Sequence, residues 1–380
     1  MDIIFLIGFL FIGFLFVQNF KKSLNKFEIK YLNILWVYHL IFGVYVALFI
    51  STDARGYWFL AKEISWEFFL LNISNSKGTN FMYAIHYFPS NFLGLSYFSG
   101  TILYAFIGFI GISCFYFLAT KLIPYNSSFV GLKLFPLLFF FPNLHFWSVA
   151  AGKDTLMMFA IGIFSYSLYL KRYLLLIISL LLAYAVRPHV VLFLLIAFGF
   201  TYTYSSNVSG FKRIIFSVSL LSVGIIILPT VMDYAKIEDI NVEQLSKFAE
   251  NKSGLLNRSH TGSGVDITSY PFPLKVFTFL YRPFFFDING FPAVLASFEN
   301  LLLLLLTFKV IKNKPFRTFK FSPFLIKGLV IFLIIGTLAF CQTLGNVGIM
   351  LRMRNMFLPG MILFLLLALS YQKKDIFLNN

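Results

Sequence analysis

Seven basic residues, Arg55, Lys153, Arg187, Arg258, Arg282, Arg352 and Arg354, stand at the edges of long apolar stretches. The span assignment below puts all seven on one side of a membrane, together with His145, His189 and His260. The acids on that side are Asp53, Glu63, Glu67, Asp154 and Asp287. A charge at a bilayer boundary is costly unless it is paired, meets water or meets a ligand. Any one of these arginines is explained by snorkelling to headgroups or by an acid partner. Several converging from separate segments suit an anionic ligand, because the planar guanidinium fork matches phosphate oxygens.

Four clusters carry the chemistry. The first is Thr52-Asp53-Ala54-Arg55-Gly56-Tyr57. An Asp at the end of a span acts as a general base toward a hydroxyl, or simply as a turn or cap residue. The second runs Phe141-Pro142-Asn143-Leu144-His145-Phe146-Trp147-Ser148, then Gly152-Lys153-Asp154. Pro142 ends one helix and Asp154 caps the next, which sets Lys153 near a helix N-terminus where anions are favoured. An ordinary helical hairpin with a Lys–Asp pair has the same sequence pattern. The third is Arg187-Pro188-His189, a turn between two apolar spans; an Arg in so short a connection is an exception to the positive-inside rule. The fourth is Gly345-Asn346-Val347-Gly348 followed by Arg352, Arg354 and Asn355. Positions i and i+2 on a helix point apart, so one of these two arginines faces a cavity and the other faces lipid or an acid. Glu299, inside an apolar stretch, is a functional candidate by position or the partner of a neighbouring polar group.

The elements that must hold these residues are membrane helices. The 380 residues are 59% hydrophobic and 12% charged, with a mean hydropathy of +0.83, more apolar than a soluble domain of this size accommodates. Apolar segments fall at about 2–17, 31–50, 99–123, 129–147, 155–170, 173–186, 190–204, 214–232, 292–310, 325–344 and 356–371. The expected fold is therefore all-α: one polytopic bundle, 1–380, of about eleven spans. The first segment has no basic leader and no small-residue cleavage site, so it reads as a retained helix. Short loops with Lys21, Lys22, Lys26, Lys121, Lys171, Arg172, Lys212, Arg213, Lys309–Lys320, Lys373 and Lys374 read as cytoplasmic. The N-terminus then lies outside and the C-terminus inside. The rule accounts for about half of the +16 net charge, and the boundary cations account for the rest. Two long outer loops, about 51–98 and 233–291, contain an aromatic, amphipathic stretch and an interfacial or re-entrant stretch near 276–286.

The sequence has no P-loop, dinucleotide glycine motif or HExxH pair, and no sign of inverted repeats. Cys114 and Cys341 lie inside apolar segments as packing residues. Basic charge in this setting points to membrane and lipid phosphate rather than to nucleic acid.

The run Phe-Pro-x-x-x-Phe-Trp-Ser at 141–148, then Lys153-Asp154, Tyr166 and Arg187-Pro188, resembles the Wzy-type and EpsG-type polymerases of bacterial surface polysaccharides (O-antigen, capsule, exopolysaccharide). The Gly-Asn-x-Gly run before Arg352 and Arg354 is similar to their C-terminal region. There is a wider similarity to GT-C glycosyltransferases, which carry an Asp in the first outer loop, as Asp53 would be, and often a later Arg-Pro. No second acid adjoins Asp53, and no metal or other cofactor is expected. The resemblance implies a bacterial cytoplasmic-membrane enzyme that polymerises oligosaccharide units carried on undecaprenyl diphosphate at the outer leaflet. It implies Arg187, Arg352 and Arg354 as diphosphate ligands, backed by Arg258, Arg282 and Lys153. Asp53 is the expected base and His189 its competitor. Trp58 and Trp147 would stack on sugar faces, a role that an aromatic belt explains equally well. The expected partners are the lipid-linked oligosaccharide, membrane lipids, and a flippase and chain-length regulator of the same pathway. Alternatives from other classes are a transferase using a polyprenyl-phosphate sugar donor and a non-enzymatic transporter or assembly subunit.

Overall fold

The structure is a computed structural model that describes residues 2–75, 77–204, 209–235, 242–257, 262–312 and 314–373. The described residues are almost wholly helical, and the one sheet among them is a two-stranded hairpin, Ser128–Phe129 with Leu132–Lys133. The chain divides into two compact units, Met1–Arg187 and Pro188–Asn380. Among the described residues four helices are long and apolar enough to cross a membrane: Lys26–Phe49, Tyr97–Leu122, Gly210–Met232 and Phe291–Ile311. A fifth candidate is the pair Val347–Arg354 and Leu358–Gln372, bent by 66°. These correspond to the segments expected near 31–50, 99–123, 214–232, 292–310 and 356–371. The helices Asp2–Gln18, Tyr173–Val186, Pro188–Thr203 and Phe324–Phe340 are apolar but shorter, so the count of about eleven rests on sequence alone.

In the first unit, the Lys26–Phe49 helix starts with a reciprocal cap: Glu28 N donates to Asn25 Oδ1, and Asn25 N donates to Glu28 Oε2. Its buried residues Leu32, Leu35, Trp36, His39, Gly43 and Val46 follow the helical repeat and form one face. Trp36 lies over Gly13 of the Asp2–Gln18 helix and donates from Nε1 to Leu10 O at 3.0 Å. The Tyr97–Leu122 helix is the centre of this unit, with most of its residues buried. It crosses Lys153–Tyr169 where Gly111 and Gly162 meet backbone to backbone. A Cβ on Gly111 would stand 2.4 Å from Met158 O, and one on Gly162 would stand 2.5 Å from Gly111 O. Small residues at such a crossing let two helices approach where lipid gives no hydrophobic drive.

The segment expected as a span at 129–147 is not one helix. It opens with the hairpin and continues as Leu134–Leu137, the 3₁₀ turn Leu138–Phe140 and Pro142–Phe146. Pro136 and Pro142 remove two helical donors, and Phe135, which precedes a proline, is extended (φ −96°, ψ 128°). The loop expected at 51–98 holds three α-helices, Asp53–Glu63, Trp66–Ser74 and Thr79–Tyr87, the last continued by a π-helical turn at Phe88–Phe92. Trp66, Phe68, Leu71 and Ile73 are exposed on the second of these.

In the second unit, Pro188–Thr203 packs against Phe324–Phe340, with Phe198 over Gly328. The ring of Phe357, at the bend of the last helix pair, fits over Gly336. The Gly-Asn-x-Gly run is structural. Val265 N donates to Gly345 O and Val347 N to Ser263 O, both at 2.9 Å, so the run pairs with 263–265 like a strand. Asn346 then caps the Val347–Arg354 helix by accepting from Ile349 N at 3.1 Å.

Candidate functional site

Four helix ends meet in the first unit. Asp53–Glu63, Thr79–Tyr87 and Lys153–Tyr169 begin there, and Tyr173–Val186 ends there. Gly152 abuts the methyl of Ala54 at the 3.4 Å its missing Cβ would leave. Gly78 N donates to Ala185 O at 2.8 Å. Lys153 Nζ donates to Thr79 Oγ1 at 2.9 Å and lies 5.5 Å from the centre of the Tyr57 ring. Arg187, at the C-cap of Tyr173–Val186, donates to Asp154 Oδ1 at 2.6 Å. Arg187 is 3% exposed and Asp154 9%. The corner therefore gathers three helix N-termini, each with a partial positive charge, around Lys153, which is half-buried, and a buried arginine. A helix N-terminus favours an anion, phosphate among them; two of these three already carry an acid in the first turn, Asp53 and Asp154.

Asp53 is the first residue of its helix and is exposed. There it complements the helix dipole, the cap-type role weighed against that of a base. Arg55 is exposed too, its guanidinium 5.7 Å from the Phe59 ring and 5.8 Å from the Tyr97 ring. Trp58 departs from the expected sugar platform. It is fully buried, over Gly100 and against His86 at 5.3 Å between ring centres, because the helical repeat turns it inward between Ala54 and Ala61. Burial pushes the imidazole of His86 down to about 3. Trp147 is half-buried, its ring edge-on to Phe146. His145 is fully buried against His39 rather than at a boundary.

The remaining expected residues belong to the second unit. His189 is half-buried between the rings of Phe193 and Phe340, both 5.9 Å away. Arg282 forms a two-pronged pair with Asp287: Nε donates to Oδ2 at 3.0 Å and Nη2 to Oδ1. This pair, with Asp287 as hydrogen-bond acceptor, holds the Arg282 guanidinium above its usual range. Arg352 is half-buried. Arg354 is 1% exposed and donates to Leu280 O and, at 2.6 Å, to Asn300 Oδ1. Asn300 in turn donates to Pro283 O at 2.8 Å, and Glu299 acts on Arg354 electrostatically. Of the two arginines expected to point apart, the second is thus turned inward as a clasp. Arg258 and His260 lie outside the described residues.

Thr79 and Asn300 were not singled out from sequence. Asn300 had a signal, since a Glu-Asn pair inside an apolar helix calls for buried partners. Thr79 had none, being an ordinary polar residue of an aromatic loop. Among the described residues no group of three His, Cys, Asp or Glu is placed to hold a metal ion.

No protein-family model matches the chain, no curated protein matches its sequence and no solved structure matches its fold.

Proposed function

We propose that this chain is a membrane polymerase of a bacterial surface polysaccharide. It joins oligosaccharide units carried on undecaprenyl diphosphate at the outer face of the cytoplasmic membrane. The observation that supports this reading is the corner at Lys153, where two basic side chains and three helix N-termini gather in a chain with several apolar helices long enough to span a bilayer. In this reading the chain crosses the membrane about eleven times, with its N-terminus outside and the corner at the outer boundary.

The reaction breaks the bond between the donor's anomeric carbon and the diphosphate oxygen. The acceptor sugar's hydroxyl oxygen forms the new bond, its proton goes to a base, and the lipid diphosphate leaves with the electron pair. Negative charge grows on that leaving group, so fixed donors aimed at it stabilise the transition state more than the ground state. Lys153 is the more accessible cation of the corner. Arg187 pairs with Asp154 and holds it in place beside Lys153. Asp53, at the start of an adjoining helix, takes the acceptor proton.

The test is the length of lipid-linked glycan in cells carrying wild type, a deletion, Lys153→Ala or Asp53→Asn, with protein abundance measured alongside. Single repeat units accumulating on the lipid in the deletion, and in variants made at normal abundance, are the expected result. Chains of wild-type length in the deletion would overturn the reading. A repeat unit lacking one sugar would point to a single-sugar transferase, and complete units held on the cytoplasmic face to a transporter.

A further inference from the structure

His39 and His145 face each other in the interior of the first unit, both with no exposed surface. Their Nδ1 atoms are 2.8 Å apart. His39 Nε2 lies 3.0 Å from Ala105 O, and His145 Nε2 lies 2.8 Å from Phe139 O. A carbonyl oxygen only accepts, so each Nε2 must carry a proton to make its contact. A neutral imidazole has a single N–H, which leaves both Nδ1 atoms as bare acceptors. Two lone pairs held at hydrogen-bond distance repel each other. The geometry asks for three protons where a neutral pair supplies two.

We infer that His39 and His145 form a proton-binding site, in which a third ring proton sits between the two Nδ1 atoms and the pair carries one positive charge. The balance is simple: two neutral rings with one N–H each take up one proton from solvent, and no bond between heavy atoms changes. The distance suits an N–H···N hydrogen bond. A metal ion shared by the same two atoms would hold them about 3.3 Å apart or more, as tetrahedral bonds of about 2.0–2.1 Å require.

The groups around the pair are aromatic rings and carbonyl oxygens. The Lys26–Phe49 helix contributes Tyr38, whose ring is edge-on to His145 and whose hydroxyl donates to Phe140 O at 3.0 Å. It also contributes Phe42, stacked on His145 at 5.9 Å, and Trp36, 6.4 Å from His39. The Tyr97–Leu122 helix contributes Phe109, 6.1 Å from His39, and the Ala105 carbonyl. The 3₁₀ turn Leu138–Phe140 contributes the Phe139 carbonyl. Among these described contacts the only titratable group besides the two rings is the Tyr38 phenol, and none is a carboxylate, ammonium or guanidinium. Aromatic faces and carbonyl oxygens are what a buried imidazolium can use. The site also has a mechanical role. It fixes the broken segment of Pro142–Phe146 to two long helices, and that segment leads directly to Lys153. The inference is independent of the proposed polymerase activity.

The test is solid-state NMR of the full chain, labelled with ¹⁵N at histidine, in lipid nanodiscs from about pH 5 to pH 8. The expected result is one strongly downfield proton correlated with two nitrogens of different rings, with the other nitrogen of each ring also protonated. This correlation requires two histidines in contact, so wild-type protein alone reports it. His39→Gln should abolish it and leave His145 with a single N–H. A count of two ring protons on the pair across the whole range would overturn the inference. So would a shared-proton signal that survives in H39Q, or nitrogen shifts that mark a bound metal ion.

Discussion

Arg187 in the first unit and Arg354 in the second are both almost fully buried, 3% and 1% exposed, yet their charges are met in different ways. Arg187 touches a carboxylate, Asp154, at 2.6 Å. Arg354 donates to a main-chain carbonyl and a side-chain amide, while the carboxylate of Glu299 acts on it electrostatically. The first arrangement cancels charge locally and ties two helix ends into a corner. The second serves backbone. Leu280 O belongs to the last turn of Phe272–Tyr281, where carbonyls have no helical partner, and Asn300 meets Pro283 O just beyond it. Irregular backbone in an apolar setting persists only where protein groups satisfy it, and a cation at a helix C-terminus is favourable. One buried arginine is therefore part of a charged corner, and the other is a clasp over a helix end.

The comparison breaks first at Arg354. Arg354→Ala orphans Leu280 O and Asn300 Oδ1. It should cost about 3–5 kcal/mol, seen as a large drop in thermal stability and in protein abundance. A drop no larger than that of an average surface substitution would show that the clasp is dispensable.

Arg187→Ala and Asp154→Asn should each cost about 3 kcal/mol, because each removes one half of a buried ion pair. The double replacement Arg187→Met with Asp154→Leu sharpens the contrast. Two apolar side chains of similar bulk should recover most of the lost stability, which no single partner swap can do for Arg354. Recovered stability without recovered glycan chain length would separate a chemical role of the corner from a structural one.

His86 shows a third way to bury a cationic group, which is to keep it neutral. Its imidazole is depressed to about 3, whereas an unfolded chain binds that proton near 6.5. Below about pH 6.5 the unfolded state holds more protons, so stability should fall by up to about 1.4 kcal/mol per pH unit toward pH 3. Melting curves at stepped pH would show the slope, and His86→Phe should flatten it. An unchanged slope in that variant would assign the loss to other groups.

The smallest effect is expected at Arg282. It too pairs with an aspartate, and both aspartate side chains are 11% exposed, but the Arg282 side chain is 13% exposed against 3% for Arg187. Arg282→Ala should cost about 1 kcal/mol, between the exposed and the buried cases. A cost equal to that of Arg187→Ala would mean that partial water contact brings Arg282 no relief.

Sequence made the long helices legible because their signal is local. The expected segment 292–310 and the observed Phe291–Ile311 differ by one residue at each end, as a run of about twenty mostly apolar residues leaves the backbone little choice in lipid. The break within 129–147 was also written in the chain, at Pro136 and Pro142. So were the boundary cations, since a charge beside an apolar run stands out wherever it occurs. What each cation touches was not. Lys153 finds Thr79 across 74 positions of sequence, Arg354 finds Leu280 across another 74, and His39 finds His145 across 106. The inward turn of Trp58 depended on the glycine it covers, Gly100, on another helix. Hydrophobic period and turn chemistry act over a few residues and set the elements. Ion pairs, clasps and shared protons depend on which helix ends arrive together, and only the packed chain decides that.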